Sequence, residues 1–439
     1  MTQAKQILQL NRFDSSTPNL DERTQAMVAQ RFKAFGNASV LFYQQPLEII
    51  RAQGTYMYDR GGKAYLDLYN NVPCVGHCHP EVAAAIAEQA AILATNSRYL
   101  YQNLNDYAEA LLATFPPELS NLVLTCTGSE ANDIALRIAA MHSGGTGIVV
   151  TQSAYHGNTS AVMAVSPSSY RKGTPLPAHV RTIREPNSYD GDAATTFATE
   201  LQAAIHDMAE HGIRFAGLLI DTIFSSDGVF ADPPGFLQQA LKIVHDNGGL
   251  LIADEVQPGF GRTGEGHWCF ARHGIVPDVV TLGKPMGNGY PMGGVITRPE
   301  LLDTFVRETG YFNTFGANPV AAAAGHAVLK VLQQERLIEN AGKIGQHLRS
   351  DLRRLAEHDS RIADVRGAGL FIGVELVDAK QRPDGALASW LINALKDEGI
   401  LIGAAGAYGN VLKIRPALCF NQAQSDQFVE TMKRLLARY

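Results

Sequence analysis

The sequence predicts an α/β protein that has a large domain with a mostly parallel sheet and a smaller α+β domain. Short apolar runs alternate with helix-like stretches from about residue 110 to residue 300, which is typical of a parallel sheet covered by helices on both faces. After about residue 330, amphipathic helices and short strands follow without that regular alternation. The length of 439 residues also favours two domains, because a single core rarely serves a chain of this size.

Five apolar runs are predicted to be strands of the large sheet, because each is short, rich in aliphatic residues and bounded by polar or glycine residues. They are NLVLT (121–125), GIVVT (147–151), AGLLI (216–220), GGLLIA (248–253) and DVVTL (278–282). Two stretches between them have helical character, EANDIALRIAAMHSG (130–144) and PPGFLQQALKIVHDNGG (233–249). The second begins with proline and ends with glycine, as helix boundaries prefer.

The smaller domain is predicted to be built from both ends of the chain. Residues 1–65 are an N-terminal segment that packs on it, with a hairpin that turns at residues 60–62. Residues 66–330 form the large domain, and residues 331–439 form the small one. In the last range, GAGLFIGVELV and NVLKIRPALCF indicate strands, and SDQFVETMKRLLARY indicates a closing helix.

Composition and charge argue against several classes of function. The 37 basic and 43 acidic residues give a formal charge of −6 without any block of like charge, so a nucleic-acid-binding surface is not expected. The first residues lack the apolar core of a signal peptide, and no apolar run approaches the ~18 residues that a membrane span needs. We therefore expect a cytoplasmic protein.

The five cysteines are predicted to be reduced, because they are odd in number, scattered and without a CxxC pair. The segment CVGHCHP at 74–80 combines two cysteines with two histidines. Its spacings match no zinc pattern, and no second cluster completes a ligand set. We interpret this segment as a loop and expect no metal.

Functional residues are expected where the parallel strands end, because ligands bind beyond the carboxyl ends of such strands. After the strand at 121–125 come Gly128 and Ser129 at the start of a helix, whose N-terminus favours negative charge. They form a candidate phosphate site, with an ordinary serine N-cap as the alternative. Tyr155 and His156 follow the next strand along the chain.

An acid and a lysine follow two further strands. Asp254 comes directly after 248–253, where a helix cap or a metal ligand is the alternative role, and Lys284 follows 278–282, where a solvent-exposed strand end is the alternative. A phosphate site, an aromatic ring, a carboxylate and a lysine together suit pyridoxal 5'-phosphate. The anion keeps the pyridine nitrogen protonated, and the lysine amine condenses with the aldehyde.

Five motifs resemble those of the class III aminotransferases, which belong to the pyridoxal-phosphate fold type I superfamily. They are GSEANDIALR (128–137), YHGNT (155–159), IADEVQPGFGRTG (252–264), TLGKPMGNGYPMGG (281–294) and NTFGANP (313–319). The resemblance covers nearly the whole chain and implies a seven-stranded, mostly parallel sheet. Within the class, the sequence is most similar to the branch that contains phosphoethanolamine and phosphohydroxylysine phospho-lyases and alanine–glyoxylate type aminotransferases.

The resemblance assigns roles around the cofactor ring. Lys284 would form the Schiff base and move the substrate proton, and Asp254 would pair with the pyridine nitrogen. Tyr155 and Val256 would cover the two faces of the ring, and Gln257 would approach its hydroxyl group. We expect Lys284, Asp254 and Tyr155 to be the catalytic residues.

The resemblance also implies a shared site. The full cofactor-binding set is Gly128, Ser129, Tyr155, His156, Asp254, Val256, Gln257, Lys284 and Thr314. Thr314 would come from the other subunit, so a homodimer is implied, with a dimer of dimers as the alternative.

The reaction that the resemblance favours is the ping-pong transfer of an amino group from an amine or ω-amino acid to a keto acid such as pyruvate or 2-oxoglutarate. The alternative is a phospho-lyase that eliminates phosphate from a phosphorylated amino alcohol of the phosphoethanolamine or phosphohydroxylysine type. The residues named so far serve both chemistries, so they do not distinguish between them.

Departures from the family pattern concern the substrate. Asp221 stands where many members carry a glutamate that gates the substrate-binding arginine, and aspartate is one methylene shorter, so we expect no gating ion pair. The position of that arginine falls on Lys413, and Arg415 lies two residues further on the same face of a strand.

We favour Arg415 as the anion ligand, because guanidinium binds carboxylate or phosphate in a bidentate manner. The alternative is that Arg415 and Lys413 both point away from the pocket and that Lys413 faces solvent. Arg98 is assigned to the distal end of the substrate, near the expected dimer interface, with a surface salt bridge as the alternative.

Overall fold

The computed structural model describes residues 9–14, 20–171, 173–186 and 191–439. Within these ranges, none of the helices combines the length and the apolar character that crossing a membrane requires.

The N-terminal part contains one long helix and three strands of an antiparallel sheet. Their bounds are α1 Glu22–Phe35, β1 Ile49–Gln53, β2 Tyr56–Asp59 and β3 Ala64–Asp67. β2 and β3 form the hairpin predicted from the sequence. The fourth strand of this sheet comes from the C-terminal part of the chain and pairs with β3 in parallel. Both chain ends therefore contribute to one sheet.

The central sheet has seven strands, and helices separate most of them along the chain. The elements of this part are α2 Pro80–Ile92, α3 Gln102–Leu112, β4 Asn121–Thr125, α4 Gly128–Ser143, β5 Gly147–Thr151, α5 Ser160–Ala164, β6 Val180–Ile183, α6 Ala193–Glu210, β7 Phe215–Asp221, α7 Gln238–Asp246, β8 Leu250–Asp254, β9 Val279–Leu282, β10 Gly293–Thr297, α8 Pro299–Thr309 and α9 Pro319–Gln334. The strand order is β4-β10-β9-β8-β7-β5-β6. Only β10, among the pairings described, is antiparallel to its neighbours. The expected seven-stranded, mostly parallel sheet is confirmed.

The C-terminal part has a second four-stranded sheet with helices packed on it. Its elements are α10 Leu337–Ala356, β11 Ile362–Ala368, β12 Phe371–Leu376, α11 Gly385–Asp397, β13 Ile400–Leu401, β14 Gly403–Ala405, β15 Val411–Ile414 and α12 Gln422–Leu436. The strand order is β11-β12-β15-β14, and β13 is the strand that joins β3. The domain limits expected from the sequence stay a prediction, and β3 runs across the first of them.

All five predicted strands of the central sheet are present, whereas β6 and β10 were not predicted. β6 contains the short sequence VRTI, in which apolar and polar residues alternate over only four positions. β10 begins with two glycines and continues the glycine-rich stretch after Lys284, so no residue pattern marks the start of a strand there.

The register of the parallel strands places the carboxyl ends of β7, β8 and β9 side by side. Asp221 is directly opposite Asp254, and Asp254 is opposite Thr281. β8 and β9 are buried along their whole length. Polar groups at these strand ends therefore lie next to one another at the edge of a buried sheet, and this edge carries the candidate site.

Candidate active site

The N-terminus of α4 forms one wall of the site. Thr127 caps the helix: its hydroxyl accepts from the Glu130 amide at 3.1 Å, and the Glu130 carboxylate accepts from the Thr127 amide at 3.0 Å. In the described part of the chain, the backbone amides of Gly128 and Ser129 have no hydrogen-bond acceptor. Two free donors at a positive helix end are suited to a phosphate group.

Three glycines allow the loops to approach this helix end closely. A Cβ atom at Gly128 would lie 2.9 Å from Val256 Cγ2, and one at Gly283 would lie 3.1 Å from the Gly128 nitrogen. A Cβ atom at Gly157 would lie 2.4 Å from Ser129 Oγ, and Gly157 also has a φ of +146°. Side chains at these positions would collide with residues that form the candidate phosphate site, which explains why the sequence has glycine there.

Asp254 is buried at the end of β8 and accepts three hydrogen bonds. Its Oδ2 atom lies 3.0 Å from Asn132 Nδ2 and 2.7 Å from His156 Nδ1, and its Oδ1 atom accepts from the Val256 amide at 3.1 Å. These donors stabilise a negative charge in a position without solvent. The site therefore contains the fixed anion that a protonated pyridine nitrogen requires.

Asn132 was not identified in the sequence analysis. It is fully buried on α4, donates to the His156 carbonyl at 2.8 Å, and accepts from Thr281 Oγ1 at 2.6 Å. It thereby connects α4 and β9 to Asp254. A polar residue one turn after Gly128, on a helix face that is otherwise apolar, was the signal that could have revealed it.

Lys284 follows β9 and Gly283, and its side chain projects into a cavity. Its φ is +28°, an unusual conformation for a residue with a side chain and one that marks functional sites. The amine makes no hydrogen bond or ion pair with any residue in the described ranges. Removal of the amine from bulk water lowers the pKa of Lys284, and Asp254 opposes this effect. A lysine with a lowered pKa is more often neutral and is therefore more nucleophilic.

The cavity has a volume of about 200 Å³ and brings most of the predicted residues together. Its lining residues are Thr127, Gly128, Ser129, Tyr155, His156, Gly157, Asp221, Asp254, Val256, Gln257 and Lys284. Every predicted cofactor-binding residue except Thr314 is among them. Burial raises the pKa of Tyr155, so its hydroxyl stays protonated.

Asp221 lies in the cavity wall beside Asp254. Its carboxylate accepts from the Ile223 and Ser225 amides, each at 3.1 Å. Burial and the Asp254 charge raise its pKa, whereas Lys413 acts in the opposite direction. No ion pair links Asp221 to a cation within the described residues, and its lack of a gating role stays a prediction.

Lys413 and Arg415 are both buried, at 4% and 8% exposure, so the interpretation of Lys413 as solvent-facing is wrong. They do not line the cavity directly but lie behind its wall. The Lys413 amine lies 5.5 Å from the centre of the Phe371 ring. Burial, followed by the neighbouring Arg415, lowers the pKa of Lys413 well below its ordinary value.

Gln257 connects Arg415 to the cavity. The Arg415 guanidinium donates to Gln257 Oε1, and it also donates to Asn71 Oδ1 at 3.2 Å. Gln257 Nε2 donates to Ser225 Oγ at 2.6 Å. Arg415 Nε is buried without a partner among the described residues. The guanidinium therefore retains an unused donor while its other contacts are to neutral side chains.

Thr314 and Arg98 are exposed and lie outside the cavity of this chain. The Arg98 guanidinium lies 4.1 Å from the centre of the Phe312 ring. No surface salt bridge of Arg98 is found within the described ranges. The predicted roles of both residues depend on a second subunit and stay predictions.

The CVGHCHP segment is a loop, as expected. The Cys74 thiol donates to the Pro285 carbonyl, His77 contacts Asp67 at 2.7 Å, and His79 contacts Glu335 at 3.0 Å. Cys74, His77 and His79 therefore contact three different residues.

The residues present fit pyridoxal 5'-phosphate. The α4 N-terminus and its glycines form a space for the phosphate, and Asp254 is held as an anion by three donors. His156 Nε2 is buried and has no partner in the described part of the protein. Lys284 has a free amine in the same cavity, opposite the anion. The cavity thus offers a suitable protein group for each part of the cofactor: its phosphate, its ring and its aldehyde.

Comparisons with known proteins agree with this site. The family model "Aminotransferase class-III" matches residues 41–436. The protein named alanine–glyoxylate aminotransferase 2-like from Drosophila melanogaster is 39% identical over 417 residues, covering 91% of this chain and 84% of that protein. The ethanolamine-phosphate phospho-lyase homolog 1 from Caenorhabditis elegans is 36% identical and covers 97% of each chain.

A solved structure provides a further comparison. It is a phospholyase from Arthrobacter in complex with phosphoethanolamine, with a TM-score of 0.91 and 41% identity. The match covers 94% of this chain and 100% of that chain.

Proposed function

Because this chain belongs to the class III aminotransferase family, whose cofactor is pyridoxal 5'-phosphate, we propose that it eliminates phosphate from a phosphorylated amino alcohol. This reverses the order of the two reactions favoured from the sequence. The observation that carries the proposal is the pair of buried cations, Lys413 and Arg415, behind the cavity wall and without a carboxylate ion-pair partner among the described residues. The likeness to a phospholyase at 41% identity supports the same choice.

A phosphate ester matches these two cations better than a carboxylate does. A phosphate monoester carries close to two negative charges at neutral pH and offers three acceptor oxygens. Arg415 has an unused buried donor, and Lys413 has a lowered pKa that a nearby dianion would raise again. A single carboxylate carries only one charge, so it would favour the charged form of Lys413 less than a phosphate dianion does.

The cavity residues would hold the cofactor and move the substrate proton. Gly128 and Ser129 would bind its phosphate, Asp254 would face the pyridine nitrogen, and Lys284 would be its attachment point. When bound, the cofactor supplies an electron sink that acidifies the hydrogen on the carbon bearing the amino group. The Lys284 amine then accepts that proton, because it projects into the cavity and its lowered pKa favours the neutral amine.

Transfer of an amino group to a keto acid is the second candidate function. It is supported by the family model and by the relative named as an aminotransferase 2-like protein. The same lysine and aspartate would serve this reaction, and Arg415 would then bind a carboxylate. The two reactions differ in the fate of the electron pair left on the amino-bearing carbon, which expels phosphate from the next carbon only in elimination. They also differ in the fate of the nitrogen, which is released as ammonia in elimination and passed to the keto acid in transfer.

The test uses the holoenzyme with phosphoethanolamine and no keto acid. Elimination converts this substrate and water into acetaldehyde, ammonia and phosphate, so phosphate and ammonia are expected to accumulate continuously and in equal amounts. A single turnover that bleaches the cofactor band and is restored by pyruvate, without phosphate release, would contradict the lyase and support the transferase.

We also propose a homodimer in which Thr314 and Arg98 reach the site of the partner subunit. Several large apolar side chains near them are exposed in the single chain: Ile92 77%, Tyr99 67%, Leu100 97%, Phe312 47% and Phe315 71%. Such a patch is typical of an interface. Mixing inactive Lys284→Ala chains with Thr314→Ala chains tests this arrangement. If the sites are shared, one site of each mixed dimer contains both Lys284 and Thr314, so mixing changes the activity. If each chain forms its own site, mixing leaves the activity unchanged. The cytoplasmic location stays a prediction.

A further inference from the structure

Two carboxylates stand side by side at the cavity edge but have different surroundings. Asp254 accepts from two side chains and one amide, including the His156 ring at 2.7 Å. Asp221, directly opposite in the sheet register, accepts from two backbone amides and from the Ser225 side chain. Carboxylates at neighbouring strand ends oppose each other's ionisation. Asp221 retains the proton, because it lines the cavity beside Asp254, and burial and the Asp254 charge raise its pKa.

Several titratable groups interact electrostatically with Asp221. They are Asp254 on β8, Glu255 after β8, Cys269, Lys284 after β9, Lys413 on β15, Arg415 after β15, and Asp227 on its own loop. Burial and Asp254 raise the pKa of Asp221, and Lys413 lowers it. Asp221 is therefore an acid whose proton can be given up when a more basic oxygen enters the cavity.

Phosphate elimination needs such an acid. A phosphate monoester has a second pKa of about 6, so near neutral pH it is mostly a dianion. Cleavage of its carbon–oxygen bond without a proton would release a trianion, which is a poor leaving group. Proton donation by a positioned side chain removes this barrier.

Resting on the proposed function, we propose that Asp221 is the catalytic acid that protonates the departing phosphate. The Lys284 amine takes the proton from the amino-bearing carbon, and that electron pair forms a double bond to the next carbon. The carbon–oxygen bond to phosphate breaks, its electron pair stays on the oxygen, and this oxygen takes the proton of Asp221. The products of this step are hydrogen phosphate and an Asp221 carboxylate, which Lys413 stabilises until water returns a proton.

The leaving group provides a direct test. Ethanolamine O-sulfate has the same amine and carbon chain, but sulfate is the anion of a strong acid and leaves without a proton. With phosphoethanolamine, Asp221→Asn is expected to lower kcat by roughly 10²–10⁴-fold. With ethanolamine O-sulfate, the same variant is expected to lose less than about tenfold. The ratio of the two rates within one preparation does not depend on the fraction of folded enzyme.

Asp227→Asn is the matched control, because Asp227 is a buried carboxylate on the same loop that does not line the cavity. It accepts from Thr151 Oγ1 at 2.8 Å and from the Ser153 amide at 3.0 Å. This variant is expected to change the two rates by the same factor. An equal loss with both esters in Asp221→Asn would overturn the inference, because that result indicates a structural role.

The pH profile gives a second readout. A general acid must be protonated, so the wild-type rate with phosphoethanolamine is expected to fall as pH rises through the pKa of Asp221, and Asp221→Asn is expected to lack this fall. A fall of the same size in the variant overturns the inference. If the wild-type enzyme releases sulfate and phosphate from neither ester, the proposed function itself fails, and the inference fails with it.

Discussion

Asn132→Ala is expected to destabilise the protein by about 3 kcal/mol, because Asn132 holds three buried partners at once. It donates to the Asp254 carboxylate at 3.0 Å and to the His156 carbonyl at 2.8 Å, and it accepts from Thr281 at 2.6 Å. A bond to a charged group contributes about 1.5–3 kcal/mol, and each neutral bond contributes about 0.5–1.5 kcal/mol. The expected total is near the lower limit of the summed contributions, since a water molecule can enter the space that alanine leaves.

Urea unfolding of the apoprotein, followed by tryptophan fluorescence, measures this loss. Thr281→Val is the matched control, because it removes only one of the three bonds and should cost about 1 kcal/mol. The double variant should cost little more than Asn132→Ala alone, because both substitutions remove the same bond. A loss below about 1 kcal/mol for Asn132→Ala, or equal losses for the two single variants, would refute the reasoning.

The remaining predictions concern the cofactor and the substrate. Gly157→Ala should weaken pyridoxal phosphate binding, measured by cofactor titration, because its Cβ would lie 2.4 Å from Ser129 Oγ. Gly266→Ala is the control and should leave binding unchanged, because no atom lies within 4 Å of its new Cβ. Asp254→Asn should shift the pH midpoint of Lys284 amine modification in the apoprotein downwards, because the Asp254 charge raises that pKa; an unchanged midpoint would exclude the coupling. Arg415→Met should raise KM for phosphoethanolamine roughly 10- to 100-fold, the loss expected for a charged hydrogen bond, and a KM within twofold of wild type would exclude Arg415 as the anion ligand.

Much of the central sheet and the cofactor site could be predicted, because local patterns determine them. Apolar runs predicted five strands. The rule that ligands bind at strand ends then predicted that Gly128, Asp254 and Lys284 belong to one site. Strand β10 escaped prediction because its glycines belong to the same glycine-rich stretch as the loop before it.

The less predictable parts of the site depend on contacts between distant segments. Asn132 is recognised only once Asp254, which lies 122 positions away in the chain, is seen to accept its hydrogen bond. The contact of Gln257 with Arg415 spans 158 positions and links the cavity lining to the C-terminal part of the chain. Side-chain directions of this kind follow from tertiary packing, which a single sequence does not display.

The most direct test of the account is chemical labelling of Lys284. Holoenzyme reconstituted with pyridoxal 5'-phosphate is reduced with borohydride, digested and mapped by mass spectrometry. The account predicts one modified peptide, with the pyridoxyl group on Lys284, and no modification in Lys284→Ala. An unmodified protein, or a label on another lysine with Lys284 intact, would contradict it.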